Sequence, residues 1–132
     1  MPGIDKVATL TIAVRDQDEA LQWFTEKLDF EKRADVSAPG MRWLTVAPKQ
    51  QKEVEFVLAS WFTDLVGKNA PCVLETRDCQ GTYRTLKGRG VRFSQTPSEK
   101  PYGIEAAFED LYGNTYALAA VDPRRHAPAQ PP

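Results

Sequence analysis

Acid–base catalysis and metal binding draw first on imidazole, and this chain of 132 residues has a single histidine, His126. It lies in the Pro-rich stretch 122–132, whose composition predicts a disordered tail. The rest of the chain must work with carboxylates, hydroxyls, aromatic rings and two thiols. Cys72 and Cys79 lack CxxC or zinc-type spacing and read as reduced thiols, Cys72 as a core residue. No hydroxyl or thiol is matched with a base, so covalent catalysis finds no support. Two acids interrupt apolar stretches: Glu55 in 54–59 and Glu75 in 71–77. A carboxylate there can recognise a cation or, desolvated, act as a general base. The plainer reading is a solvated strand acid or one paired with arginine. Arg42 and Arg92 read as surface charges.

The elements that would position these groups follow from periodicity. Residues 6–15 alternate, with Leu10, Ile12 and Val14 against Thr9, Thr11 and Ala13, which predicts a half-buried strand. Asp16 stops it and can cap a helix over 17–28, whose apolar stripe is Ala20, Phe24 and Leu28. Strands are expected at 30–36, 41–47 and 54–59. The order then repeats: strand 71–77, the stop at Asp78, helix 79–87 ended by Gly90, and strands 91–94, 104–109 and 115–121. Arg15-Asp16 overlies Arg77-Asp78, and on this alignment Glu55 overlies Ala117. A repeat of this length predicts an α+β fold of two tandem βαβββ modules. The modules, about 5–60 and 70–121 of a single domain 1–121, are expected to form a curved mixed sheet around a concave pocket, with the helices outside.

Side-chain parity names the pocket residues. If Leu10, Ile12 and Val14 face the helix, then Thr9 and Thr11 face the cavity. The same alternation points Trp43, Thr45, Glu55, Val57 and Glu75 inward. Trp61-Phe62, in the connector 60–70, reads as a lid or, preferentially, as a plug in a dimer interface. Tyr112, in a late turn, is within reach of a ligand or faces solvent. Aromatic walls, hydroxyls and carboxylates suit an aromatic or cationic organic ligand.

In order and spacing the chain resembles the vicinal oxygen chelate superfamily of glyoxalase I, bleomycin-resistance proteins and extradiol dioxygenases. The stretches that carry the likeness are TIAVRDQDEALQWFTEKLDF (11–30), RWLTVAP (42–48), GVRF (90–93), PYG (101–103) and FEDLYGN (108–114), spanning about 5–121. Two departures stand out. Asp29 stands where the family usually has glycine, and Leu111-Tyr112 replaces Pro-Asp before Gly-Asn. Both are expected to alter local geometry more than the fold. The resemblance implies metal ligands on four strands, at the places held here by Thr9, Pro71, Glu55 and Ala117. One carboxylate and a hydroxyl make a poor cation site, so neither metal nor cofactor is expected.

Function is therefore read as metal-independent binding of a small organic molecule, in the manner of sequestering resistance proteins. The alternative is a lyase, isomerase or dioxygenase with a reduced metal site using Glu55. A dimerisation module with a vestigial pocket is a third reading. The resemblance also implies a homodimer, with Trp61, Phe62 and Leu65 as its apolar contact. A net charge of −1 gives no case for nucleic acid. With no membrane-length apolar run and no leader expected, the chain reads as cytoplasmic.

Overall fold

Each half of the chain starts its helix on an aspartate. Asp16 is extended, and its carboxylate accepts from Glu19 N at 3.0 Å to open α1 (Gln17–Leu28). Asp78 does the same for Gly81 N at 2.9 Å at the head of α2 (Cys79–Gly88). A cap of this kind satisfies one of the orphan amides of the first turn and contributes about 1 kcal/mol.

The computed structural model describes residues 2–69 and 72–121. Around the helices run β1 (Thr9–Ala13), β2 (Phe30–Ala38), β3 (Met41–Pro48) and β4 (Glu55–Ala59), then β5 (Val73–Glu75), β6 (Arg92–Lys100), β7 (Gly103–Glu109) and β8 (Thr115–Val121). The fold is α+β, built as two βαβββ modules. Each module makes its own four-stranded mixed sheet, in the order β1-β4-β3-β2 and β5-β8-β7-β6. In both, the first strand runs parallel to the last, and the remaining pairs are antiparallel.

Three strands differ most from the sequence expectation. The opening strands are shorter, and β6 runs on through Pro97 to Lys100. Proline is tolerated there because β6 is an edge strand whose register shifts between Gln95 and Ser98. At the end of α1, Asp29 takes φ 58° and ψ 26°. The non-glycine residue thus keeps the left-handed turn, as aspartate does more readily than most side chains. Its carboxylate pairs with Arg89 at 3.0 Å.

One apolar core runs through the helix sides of both sheets. It joins Ile12, Phe24, Phe30, Leu44, Val46, Phe56 and Leu58 of the first module to Leu86, Phe108, Tyr116 and Leu118 of the second. Phe30 stacks on Phe56 at 6.0 Å and Phe108 on Tyr116 at 5.2 Å, while Phe24 meets Tyr116 edge-on across the seam. Lys27 and Arg89 exchange hydrogen bonds to each other's backbone carbonyls at 2.8 and 2.9 Å. Both helix sides are thereby used in this shared core. The opposite face of each sheet is left for function.

Candidate functional site

Strand register decides which residues share that open face. Thr9 pairs with Glu55, Thr11 with Val57, and Thr45 with Val57, so their side chains stand abreast on the side away from α1. Trp43, two residues before Thr45, is on the same side and pairs with Val36. Leu10, Ile12, Leu44, Val46, Phe56 and Leu58 fill the other side.

The centre of this face is a hydrogen-bonded pair. Thr45 is fully buried, and its Oγ1 donates to Glu55 Oε1 at 2.7 Å. Glu55 is half-buried, and its second oxygen has no partner among the described residues. Trp43 stands at the edge with 36% exposure. Such a patch offers an anchored carboxylate, hydroxyls from Thr9 and Thr11, and an indole face. It can hold a cationic or hydrogen-bond-donating group against a flat ring.

The other candidates lie elsewhere. Glu75 is exposed beside Val73 on the open face of the second sheet, while Leu74 and Cys72 pack to the core. Burial pushes the Cys72 thiol up to about 11, consistent with an inert core residue. Trp61, Phe62 and Leu65 are exposed in the connector beyond β4, with Trp61 and Phe62 in ring contact. Tyr112 faces neither ligand nor solvent alone. Its hydroxyl accepts from Asp16 N at 3.1 Å and donates to Glu19 Oε1 at 2.6 Å, clamping the β7–β8 turn to the head of α1.

Several groups that matter here were not singled out from the sequence. Asn114 is fully buried: its Nδ2 donates to Ala13 O at 2.8 Å, and its Oδ1 accepts from Gly67 N and Asn69 N. Asp110 holds it from below and also accepts from Tyr116 Oη at 2.7 Å. Burial beside that carboxylate pushes the Tyr116 hydroxyl far up. Arg42, read as a surface charge, binds Asp35 with Nε and Nη2 at 2.9 Å each and Asp18 at 2.7 Å. The Arg42 guanidinium holds the Asp35 carboxyl down at about 2. Glu105 is missed too. It pairs with Ala119, which places it on the second open face, across Ala119 from Glu75. Alternation in 104–109 is the signal that would have found it.

The register also corrects the alignment of the halves. Val14 N donates to Ala59 O and Thr76 N to Ala119 O, each two residues before a capping aspartate. Ala59 therefore corresponds to Ala119, and Glu55 to Thr115 rather than to Ala117. The loop before the last strand is two residues shorter in the second half, which slipped the sequence alignment. Pro71 lies outside the described residues.

A model of the Glyoxalase/Bleomycin resistance protein/Dioxygenase superfamily matches residues 3–118. The chain belongs to this superfamily. Among solved structures, UcmS2 is 38% identical with a TM-score of 0.82, covering 89% of this chain and 99% of its own. TnmS3, an antibiotic binding protein from Streptomyces sp. CB03234, is 31% identical with a TM-score of 0.82, covering 92% of this chain and 100% of its own. The uncharacterized protein YetH of Bacillus subtilis is 34% identical over 118 residues, 87% of this chain and 98% of its own.

Dioxygenases and glyoxalases of this superfamily imply a metal, and the residues present do not fit one. At the ligand places stand Thr9, Glu55 and, by register, Thr115. A single carboxylate among neutral hydroxyls leaves a divalent cation short of anionic or imidazole donors. Among the described residues no cluster of three or more His, Cys, Asp or Glu could hold an ion. No described helix is long and apolar enough to cross a membrane.

Proposed function

We propose that this chain binds a small organic molecule without metal, sequestering it on the open sheet faces, and that the ligand is aromatic or cationic. The observation that carries this reading is the Glu55–Thr45 pair, a carboxylate anchored at 2.7 Å on the open face that also carries Thr9, Thr11 and Trp43. A catalytic metal site would need more donors; a recognition site needs only these. The kinship with TnmS3, an antibiotic binding protein, supports the same direction.

The two open faces belong to different modules of one chain, whose helix sides share a core. A pocket closed on both sides then calls for a second copy, which lays its Glu75 face over the Thr9–Glu55 face. Exposed Trp61, Phe62 and Leu65 provide apolar area for that contact. This homodimer is part of the proposal.

Proflavine, a planar aromatic cation, tests it. Titration is expected to quench tryptophan fluorescence saturably, with one equivalent per site and no change after EDTA treatment. Light scattering at tens of micromolar is expected to report a dimer. A purified protein carrying one divalent ion per chain, whose removal abolishes binding, would sink the metal-free reading; a monomer would sink the two-copy pocket.

A further inference from the structure

On the helix side, at the seam between modules, the chain encloses a cleft of about 540 Å³ that shares only its rim residue Glu75 with the open-face reading. Its floor is apolar: Leu28 and Phe30 come from the first module, and Leu74, Leu86, Phe108 and Leu118 from the second. Its rim is polar, with Gln50, Glu75, Thr76 and Thr82. β5, an edge strand of three residues, lines it together with Pro48, Gln50 and Gln51 of the first module. Clefts of roughly 300–1,000 Å³ with apolar walls and a few convergent polar groups are the usual dimensions of small-molecule sites. Its apolar floor offers water almost no hydrogen bonds.

The rim chooses the ligand's charge. Thr76 Oγ1 and Thr82 Oγ1 lie 2.7 Å apart and share a hydrogen bond between two neutral hydroxyls. Glu75 is exposed and makes no ion pair among the described residues. It lines both this cleft and a second recess, whereas Arg77 lines only the second. A charged head in the cleft therefore has a carboxylate in its lining and no guanidinium.

We infer that the seam cleft is a second binding site, for a compact apolar amine whose ring or alkyl body lies on the Phe30–Leu86–Phe108 floor and whose ammonium rests against Glu75. This goes beyond the open-face reading and does not depend on it. A ligand here would touch both modules at once and bind to the seam that holds them together.

The test uses the full-length protein, two probes and amide-resolved NMR. 1-Naphthylmethylamine is expected to shift the amides of Leu28, Leu74, Thr82 and Leu86 saturably. 1-Naphthylmethanol, which lacks the charge, is expected to bind the same amides about tenfold more weakly, the usual scale for one charge-assisted contact. Glu75→Gln, at an exposed position, is expected to fold normally and to erase the difference between the probes. Thr82→Trp, which fills the cleft from its rim, is expected to abolish both. Shifts confined to Thr11, Thr45 and Val57 would overturn the seam site while supporting the open face. Seam shifts alone would uphold it and leave the open face without a ligand. An amine-to-alcohol ratio unchanged in Glu75→Gln would overturn it. So would seam shifts driven by protein concentration with no amine present, since a second copy would then occupy the cleft.

Discussion

At corresponding places on the two open faces, β3 carries Trp43 and Thr45 where β7 carries Glu105 and Ala107, and β4 carries Glu55 where β8 carries Thr115. Where β1 ends in buried Ala13, β5 ends in exposed Glu75. The backbone plan is repeated and the lining is not. The first face holds one acid, fixed by a buried hydroxyl, and an indole two residues from that hydroxyl along β3. The second holds two acids, placed where the first has an alanine and a tryptophan. Duplicated strand pairing demands only that alternate residues pack under a helix; the residues between them were free to diverge. The loops before the last strands differ in the same way. In the first half Arg33 Nη2 ties down the loop's own carbonyls, Pro48 O at 2.9 Å and Gln51 O at 2.6 Å. In the second half Asn114 and Tyr112 reach across and hold the other module.

The largest effect should come from the loops. Asn114→Ala removes a buried amide that serves Ala13 O, Gly67 N, Asn69 N and Asp110 at once. Buried groups left unpaired cost about 1–3 kcal/mol each, only partly offset by relaxation, so a loss of roughly 3 kcal/mol or more is expected. Arg33→Met, its nearest counterpart in the first half, should cost about 1 kcal/mol, since its carbonyls lie near water. Urea unfolding of both variants measures the gap. Equal losses would mean that neither loop is the clasp between modules.

The second effect concerns the faces. Glu55→Gln keeps the shape and a bond to Thr45 but removes the charge. Proflavine affinity is expected to fall about tenfold, or ~1.4 kcal/mol. Thr115→Val, at the corresponding place on the second sheet, is expected to change it less than about twofold. Isothermal titration of the two variants checks this. A matching loss in Thr115→Val would show that the two faces contribute alike and would remove the asymmetry on which the site assignment rests.

Much of this architecture was legible before any coordinates. Alternation in 9–14 and the stops at Asp16 and Asp78 were enough to place both modules, because period-2 patterning and N-capping are local physics. The open-face set Thr9, Thr11, Trp43, Thr45, Glu55 and Val57 followed from parity alone. What was hidden depends on register and reach. The Glu55–Thr115 correspondence turns on loop length, which composition does not report. Tyr112 reads from the sequence as a turn residue that reaches a ligand or faces solvent, because nothing in 110–114 says that its hydroxyl meets Glu19, far away in sequence. That two aspartates converge on Arg42, read as a surface charge, is hidden for the same reason.

The smallest expected effect is at Tyr112, and pH reveals it. Burial, together with the bond to Glu19, pushes its hydroxyl from the ordinary tyrosine value of 10.0 up to about 12. The neutral phenol is thus favoured in the folded state. Its contribution is complete below pH 10, where both folded and unfolded chains keep the proton. It declines from pH 10, where the unfolded chain releases its proton first, and is gone above about pH 12. Tyr112→Phe is expected to lose about 1 kcal/mol at neutral pH, the value of one hydrogen bond to a charged acceptor near the surface. The variant should also show a shallower decline in stability between pH 10 and 12. The decline should not vanish, because Tyr116, bonded to buried Asp110, is shifted in the same direction. The first module's loop at 49–54 has no tyrosine, so this phenol contribution has no counterpart there. Identical alkaline profiles for wild type and Tyr112→Phe would show that the hydroxyl is not part of the clasp, and that Asn114 alone carries the asymmetry between the two loops.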